Sequence, residues 1–236
     1  MFWRKTACLI AENVGQGCVF GTIEKKSASS ITGICFSLTF VLSKMPLLLT
    51  AYNSKYIEQK LGEIKDRKSK NSFLESIMND PTAALLFEVN GHKTVLFPDN
   101  KGPKTNTWEQ TRQMAFELNK AGYDVAFIPE IDDETCADSL IMIDKVYKLA
   151  DFKYCITTSP NTLAKELEHG FKQASTMILK PEFIDSGMFN EAVDYLLRND
   201  IHYGNIVLMN KYGKVRLISH KDIKSKVYVR KTKGFL

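Results

Sequence analysis

Cysteine and histidine are scarce in this 236-residue chain, with five of the first and four of the second. Cys8, Cys18, Cys35, Cys136 and Cys155 are odd in number, widely scattered and form no Cys-x-x-Cys pair. A disulfide scaffold or a structural zinc site is therefore not expected, and reduced thiols in a cytoplasmic setting are. His92, His169, His202 and His220 are not clustered, and each reads as a surface residue rather than a general base. No internal repeat or low-complexity segment is present. Long apolar runs are also few. Ile31–Thr50 comes nearest to a membrane span, but Lys44 and Pro46 interrupt it and no charged cluster precedes it as a secretory signal requires, so no membrane partner is expected.

What is present is an ordinary globular composition, 44% hydrophobic and 25% charged, enough for a sizeable core in one large domain or one domain with an appendage. The net charge of +5 is unevenly placed. Lys211–Leu236 carries nine Lys or Arg against the single acid Asp222, a local +8 that leaves −3 for residues 1–210. Composition reads this as a polyanion contact or a solvated tail.

Residues 1–48 lack sustained periodicity and form a poorly specified leader. Tyr52–Met78 has helical spacing of apolar positions, stopped by Asn79-Asp80-Pro81. Ala84–Val89 and Lys93–Phe97 flank Asn90-Gly91, the strongest short hairpin signal. The turn-rich stretch Pro98–Pro103 is the expected boundary. This makes residues 49–103 an accessory helix and hairpin outside a core at 104–222, with a basic tail at 223–236. Within that core Thr107 caps a helix to about Ala121, ended by Gly122. Strands follow at Tyr123–Ile128, Ala137–Ile143 and Val146–Ile156, the last two joined by a tight turn at Asp144-Lys145. A helix from Ser159-Pro160-Asn161 to about Gln173, a strand at Thr176–Leu179, a helix at Phe189–Arg198 and a hairpin of Asn205–Met209 with Lys214–Ser219 complete the order. Such an order predicts an α/β fold with a mixed central sheet and flanking helices.

Acids inside apolar strands carry the chemical signal, because a buried carboxylate without a partner or a metal is expensive. Asp138 precedes the run Leu140-Ile-Met-Ile143, and Asp151 interrupts Leu149–Ile156. Lys153 lies two residues beyond Asp151, on the same strand face and about 6.6–6.8 Å along the chain. A hairpin turning at Asp144-Lys145 sets Asp138 opposite Asp151, so the three side chains converge. Two carboxylates can hold a hard divalent cation that polarises a phosphate and activates water, and a lysine can orient that water or stabilise developing charge. Glu117 adds a third carboxylate if its helix packs over the same face. An acid-x-lysine pair alone usually marks a solvated strand face, an ion pair contributing on the order of 0–1 kcal/mol.

Ala137-Asp138, twelve residues, then Asp151-Phe152-Lys153 resembles the Asp and (Asp/Glu)-x-Lys of the PD-(D/E)xK nuclease superfamily, with Ala137 where proline is usual and Asp151 where glutamate is more frequent. The helix, three strands, helix, strand order is also similar to that restriction-endonuclease-like core. Within the superfamily, Trp108–Ser219 most resembles the C-terminal tRNA nuclease domains of contact-dependent growth-inhibition (CdiA-type) toxins. The matching stretches are Glu-Leu-Asn-Lys-Ala-Gly-Tyr123, Ile-Pro-Glu130, Ser-Pro-Asn-Thr162 and Gly170-Phe-Lys-Gln-Ala174. Similar domains occur in mobile-element and phage proteins. The resemblance implies a catalytic set of Glu117, Asp138, Asp151, Lys153 and Gln173, with Glu130 a weaker candidate. It implies Mg²⁺ held by Asp138, Asp151 and Glu117, with Mn²⁺ or Zn²⁺ as alternatives. Thr157, Thr158, Lys172, Lys214 and Arg216 become candidate nucleic-acid contacts. The expected substrate is tRNA or other RNA ahead of DNA, and toxin-like relatives imply an immunity partner. A DNA endonuclease and a non-catalytic nucleic-acid-binding protein of a mobile element or phage are the alternatives.

Overall fold

Two hairpin turns set the register of the sheet. In the computed structural model Asn90 and Gly91 have φ of 54° and 79°, and Asp144 and Lys145 have φ of 50° and 62°. Positive φ at both central residues gives a turn whose twist matches the flanking strands. The structure describes residues 52–98, 100, 102, 107–129 and 137–236, all within one compact unit. Its elements are α1 (Ser54–Glu63), α2 (Arg67–Met78), β1 (Ala84–Val89), β2 (His92–Leu96), α3 (Trp108–Lys120), β3 (Val125–Phe127), β4 (Ser139–Ile143) and β5 (Val146–Cys155). They continue with α4 (Pro160–Gln173), β6 (Thr176–Pro181), α5 (Ser186–Arg198), β7 (Asn205–Met209), β8 (Val215–Ile218), α6 (His220–Lys224) and α7 (Tyr228–Thr232). The leader at 1–48 and its apolar run lie outside the described residues; among the described residues no helix is long and apolar enough to cross a membrane.

The eight strands form one mixed sheet in chain order, β1 to β8. Pairs β2–β3, β5–β6 and β6–β7 are parallel and the rest antiparallel. The hairpin β1–β2 forms one edge of this sheet, with Thr94, Val95 and Leu96 paired to Val125, Ala126 and Phe127 across the turn-rich stretch 98–103. The single helical stretch over Tyr52–Met78 is two helices, because the Asp66 side chain accepts from Ser69 N–H at 2.8 Å and starts α2. Thr107 occupies the cap position of α3 but makes no side-chain cap bond.

The basic tail is folded structure. Ser219 and Asp222 form a capping box that opens α6, and Tyr228, Thr232 and Phe235 are buried in the core. Lysines and arginines fill the outward positions between these anchors, which is why composition alone suggested a solvated tail.

One face of the sheet carries two apolar clusters. Ile57, Leu74, Ile77 and Met78 of α1 and α2 pack on Val95, Ala126, Leu140 and Leu149. Leu163, Leu167 and Phe171 of α4 and Phe189, Val193 and Leu196 of α5 pack on Met177, Leu179, Ile206 and Leu208. The other face is covered by α3, whose Met114, Ala115 and Leu118 meet Phe127, Ile141, Ala150 and Phe152. Crossovers β2–α3–β3 and β5–α4–β6 step across the sheet in the same direction yet place their helices on opposite faces. They therefore have opposite hand, and one departs from the usual right-handed connection.

Candidate active site on the β4–β5 hairpin

The β4–β5 register, Ser139 against Ala150 and Leu140 against Leu149, continues to set Asp138 opposite Asp151. Side chains alternate along a strand. Ala150 and Phe152 point under α3, and Asp151 and Lys153 point to the face that carries α4. Asp151 is 3% exposed, and its Oδ2 lies 3.0 Å from Lys153 Nζ. Lys153 Nζ also donates to Gln173 Oε1 at 3.0 Å, which ties β5 to the last residue of α4. Asp138 Oδ2 accepts the Phe152 N–H at 3.3 Å, while its Oδ1 is buried with no hydrogen-bond partner among the described residues. Burial, and then the charge of Asp151, push the Asp138 carboxyl well above the usual carboxylate range, against the opposing pull of its hydrogen bonds and Lys153.

Helix α4 is started by Ser159, which accepts from Thr162 N–H at 3.3 Å, with Pro160 in its first turn. Its approach to the carboxylates depends on Gly170. A Cβ there would lie 3.0 Å from Asp151 Oδ2 and 1.8 Å from Met177 Cε. In the sequence, Gly170 belongs to a stretch that matches the toxin nuclease domains. The stronger signal was physical: glycine inside a helical pattern costs about 1 kcal/mol relative to alanine and so implies a packing requirement.

The expected set divides. Asp138, Asp151, Lys153 and Gln173 are brought together. Glu117 is not: it stands on α3, across the sheet, ion-paired with Lys120 at 2.9 Å and against the Gly213 turn. The opposite hand of the two crossovers separates it from the cluster. Arg216 is spent on structure, donating to the Lys231 carbonyl with its guanidinium 4.3 Å from the Phe235 ring centroid. Lys172 precedes Gln173 on α4 but is exposed and ion-paired with Glu168 at 2.8 Å. Thr157 caps its own loop by accepting from Ser159 N–H at 3.0 Å, whereas Thr158 and Lys214 are exposed beyond the strand ends. Glu130 and the acidic run Asp132-Asp133-Glu134 lie outside the described residues.

Two carboxylates on one face, one of them with a buried oxygen lacking a partner among the described residues, fit a hard cation, since bound positive charge would offset both the repulsion and the desolvation. Asp138 and Asp151 are the residues that would hold it. No group of three His, Cys, Asp or Glu is arranged for a metal among the described residues, so further positions would fall to water or a substrate oxygen.

No protein-family profile matches the chain, and no curated protein matches it. Among solved structures it is similar to a CdiA-CT/CdiI toxin and immunity complex from Burkholderia pseudomallei, at 19% identity over 50% of this chain and 87% of that one. The TM-score is 0.37, a likeness too slight to bear on fold or function.

Proposed function

We propose that this chain is a metal-dependent nuclease that hydrolyses phosphodiester bonds, RNA ahead of DNA. The observation that carries the reading is the convergence of Asp138, Asp151, Lys153 and Gln173 on one sheet face, with a buried carboxylate oxygen left without a partner among the described residues. Asp138 and Asp151 would hold the divalent ion, Mg²⁺ first. When bound, such an ion polarises a phosphate and lowers the pKa of coordinated water. Lys153, aimed by Gln173, supplies a cation beside the same carboxylates and can stabilise charge on a phosphate oxygen. Gly170 lets α4 close over the pair and limits access of bulk water. In the toxin-like setting implied by the sequence resemblance, an immunity partner would act by covering this face.

The test is incubation of the purified chain with total RNA and with plasmid DNA, in Mg²⁺ and then in EDTA. Cleavage should require Mg²⁺ and should be lost in Asp138→Ala and in Lys153→Ala while the circular dichroism spectrum is kept. Full activity in either variant sinks the mechanism. Salt-sensitive binding without cleavage at any divalent metal concentration would instead favour a non-catalytic nucleic-acid-binding protein.

A further inference from the structure

The parallel strands β5, β6 and β7 end on one edge of the sheet, and three large apolar side chains stand exposed just past those ends. Ile156 follows β5 and is 69% exposed, Phe183 follows β6 at 57%, and Tyr212 sits in the β7–β8 turn at 75%. Register fixes their proximity. Cys155 pairs with Pro181, the Glu182 N–H donates to the Cys155 carbonyl at 2.9 Å, and Leu179 pairs with Leu208. The three residues thus leave adjacent strands, about 4.8 Å apart at their bases. Elsewhere on the described surface, large apolar side chains are exposed only singly, at Leu85 and Val229.

Cations accompany these rings. Lys211 Nζ lies 5.1 Å from the Tyr212 ring centroid, and Lys180 Nζ lies 5.8 Å from that of Tyr154. Lys214 is exposed in the same turn. Of the described acids near them, Glu182 accepts from the Tyr154 hydroxyl at 3.1 Å, Asp185 accepts from Met188 N–H at 2.9 Å, and Glu117 is paired with Lys120. Interfaces between proteins are depleted of lysine at their centres. Flat rings beside lysines suit a polyanion with exposed aromatic bases, and only unpaired bases present a face for stacking. Carboxyl ends of parallel strands are also where open α/β sheets bind ligands. Lys153 lies only about 10 Å back along β5 from Ile156.

From this we infer that the carboxyl edge of β5–β7 binds single-stranded nucleic acid, with bases stacked on Phe183 and Tyr212 and phosphates held by Lys180, Lys211 and Lys214. The choice of nucleic acid rests on the proposed nuclease function; the choice of unpaired strand rests on the two exposed rings.

Binding of the full chain to fluorescein-labelled oligouridylate, and to duplex RNA of equal length, is measured by anisotropy in EDTA, where no Mg²⁺-dependent cleavage occurs. The single strand should bind more tightly than the duplex. Phe183→Ala and Tyr212→Ala should each weaken single-strand binding by about 10-fold or more, and Tyr212→Phe should retain it. Both rings are exposed, so the alanine variants should fold. Equal binding of single strand and duplex, no binding, or affinity unchanged in both alanine variants overturns the inference. So does a dimer in sedimentation that Phe183→Ala dissolves, since the edge would then be a protein interface. Ring-dependent binding without cleavage would sink the nuclease reading alone, whereas cleavage indifferent to both rings would sink this one alone.

Discussion

Lys153→Met keeps the aliphatic stem and removes only the ammonium, which makes it a direct probe of whether the β5 acid-x-lysine pair is buried machinery or a solvated strand face. At the 3.0 Å separation from Asp151, and with an effective dielectric constant of ~20, the gross attraction is about 5 kcal/mol. Desolvation offsets part of that, yet removal of one partner leaves the other charge buried, which typically costs ~3–5 kcal/mol. The Gln173 carbonyl oxygen also loses a donor, worth ~1 kcal/mol. Solvent reduces the sum, since the Lys153 side chain is 19% exposed and part of the attraction is screened. The expected loss is about 2–4 kcal/mol in urea unfolding at neutral pH, without added metal. Asp151→Asn combined with Lys153→Met should recover most of it, because the orphaned charge goes too. A loss under about 1 kcal/mol would mean that the pair is worth no more than an exposed ion pair. A large loss that the double variant fails to recover would assign the cost to something other than the orphaned charge, such as the lost Gln173 contact. Either result refutes the electrostatic reasoning.

Three further outcomes follow from close approaches and titration. Gly204→Ala should destabilise by about 3 kcal/mol or more, since its Cβ would fall 2.0 Å from the Ser175 carbonyl oxygen, a backbone atom with no rotamer to yield; a urea midpoint near that of the parent would contradict this. Gly170→Ala displaces the buried Met177 side chain and lifts α4 from Asp151, so stability should fall by about 0–2 kcal/mol after the helix-propensity gain, while cleavage falls roughly 10–100-fold; unchanged cleavage would separate Gly170 from the site. Burial pushes the Asp222 carboxyl up, but hydrogen bonds from Lys231 and Ser219 hold it below its ordinary value, so its stabilising effect is present above the unfolded pKa of about 3.9 and is lost as pH falls through the lower folded value. Asp222→Asn should lower stability at neutral pH and flatten its dependence on acid below about pH 4, and an acid dependence identical to the parent's would refute this.

The hairpin turns were legible because the information is local. Asn90-Gly91 and Asp144-Lys145 fix register within a few residues, and the second of them placed Asp138 against Asp151 from sequence alone. The β2–β3 pairing was not legible, since it joins residues about thirty apart across a crossover and nothing in either strand names its parallel neighbour. Ser219-x-x-Asp222 is a capping box with Asp where Glu or Gln is usual, and two helices of five residues each gave too little periodicity to set against a run of lysines. Glu117 stands apart from the cluster for a different reason. Its place on a helix ahead of the meander was read correctly, but the face that helix covers depends on the hand of its crossover, which no residue pattern in α3 encodes.

That hand has a consequence for the site. Among the described residues one face carries α3, and the other carries two separate apolar clusters, one under α1 and α2 and one under α4 and α5 with the short α6 and α7. Asp138, Asp151 and Lys153 belong to neither cluster; they occupy strand positions between Leu140 and Leu149 on one side and Met177 and Leu179 on the other. A carboxylate in the middle of either cluster would displace apolar contacts and stand alone. In the seam it is shielded enough for burial to push the Asp138 carboxyl up, yet Lys153 still reaches solvent. Merging the clusters should therefore remove the chemistry before the fold. Asp138→Leu joined with Asp151→Leu and Lys153→Met should give a chain at least as stable as the parent, because replacement of buried charge by apolar volume is often neutral or stabilising by ~1–4 kcal/mol. It should also have no Mg²⁺-dependent activity. If the triple variant were unfolded by circular dichroism, the polar strip would be a structural requirement of this sheet, and its reading as a dispensable chemical insert would fail.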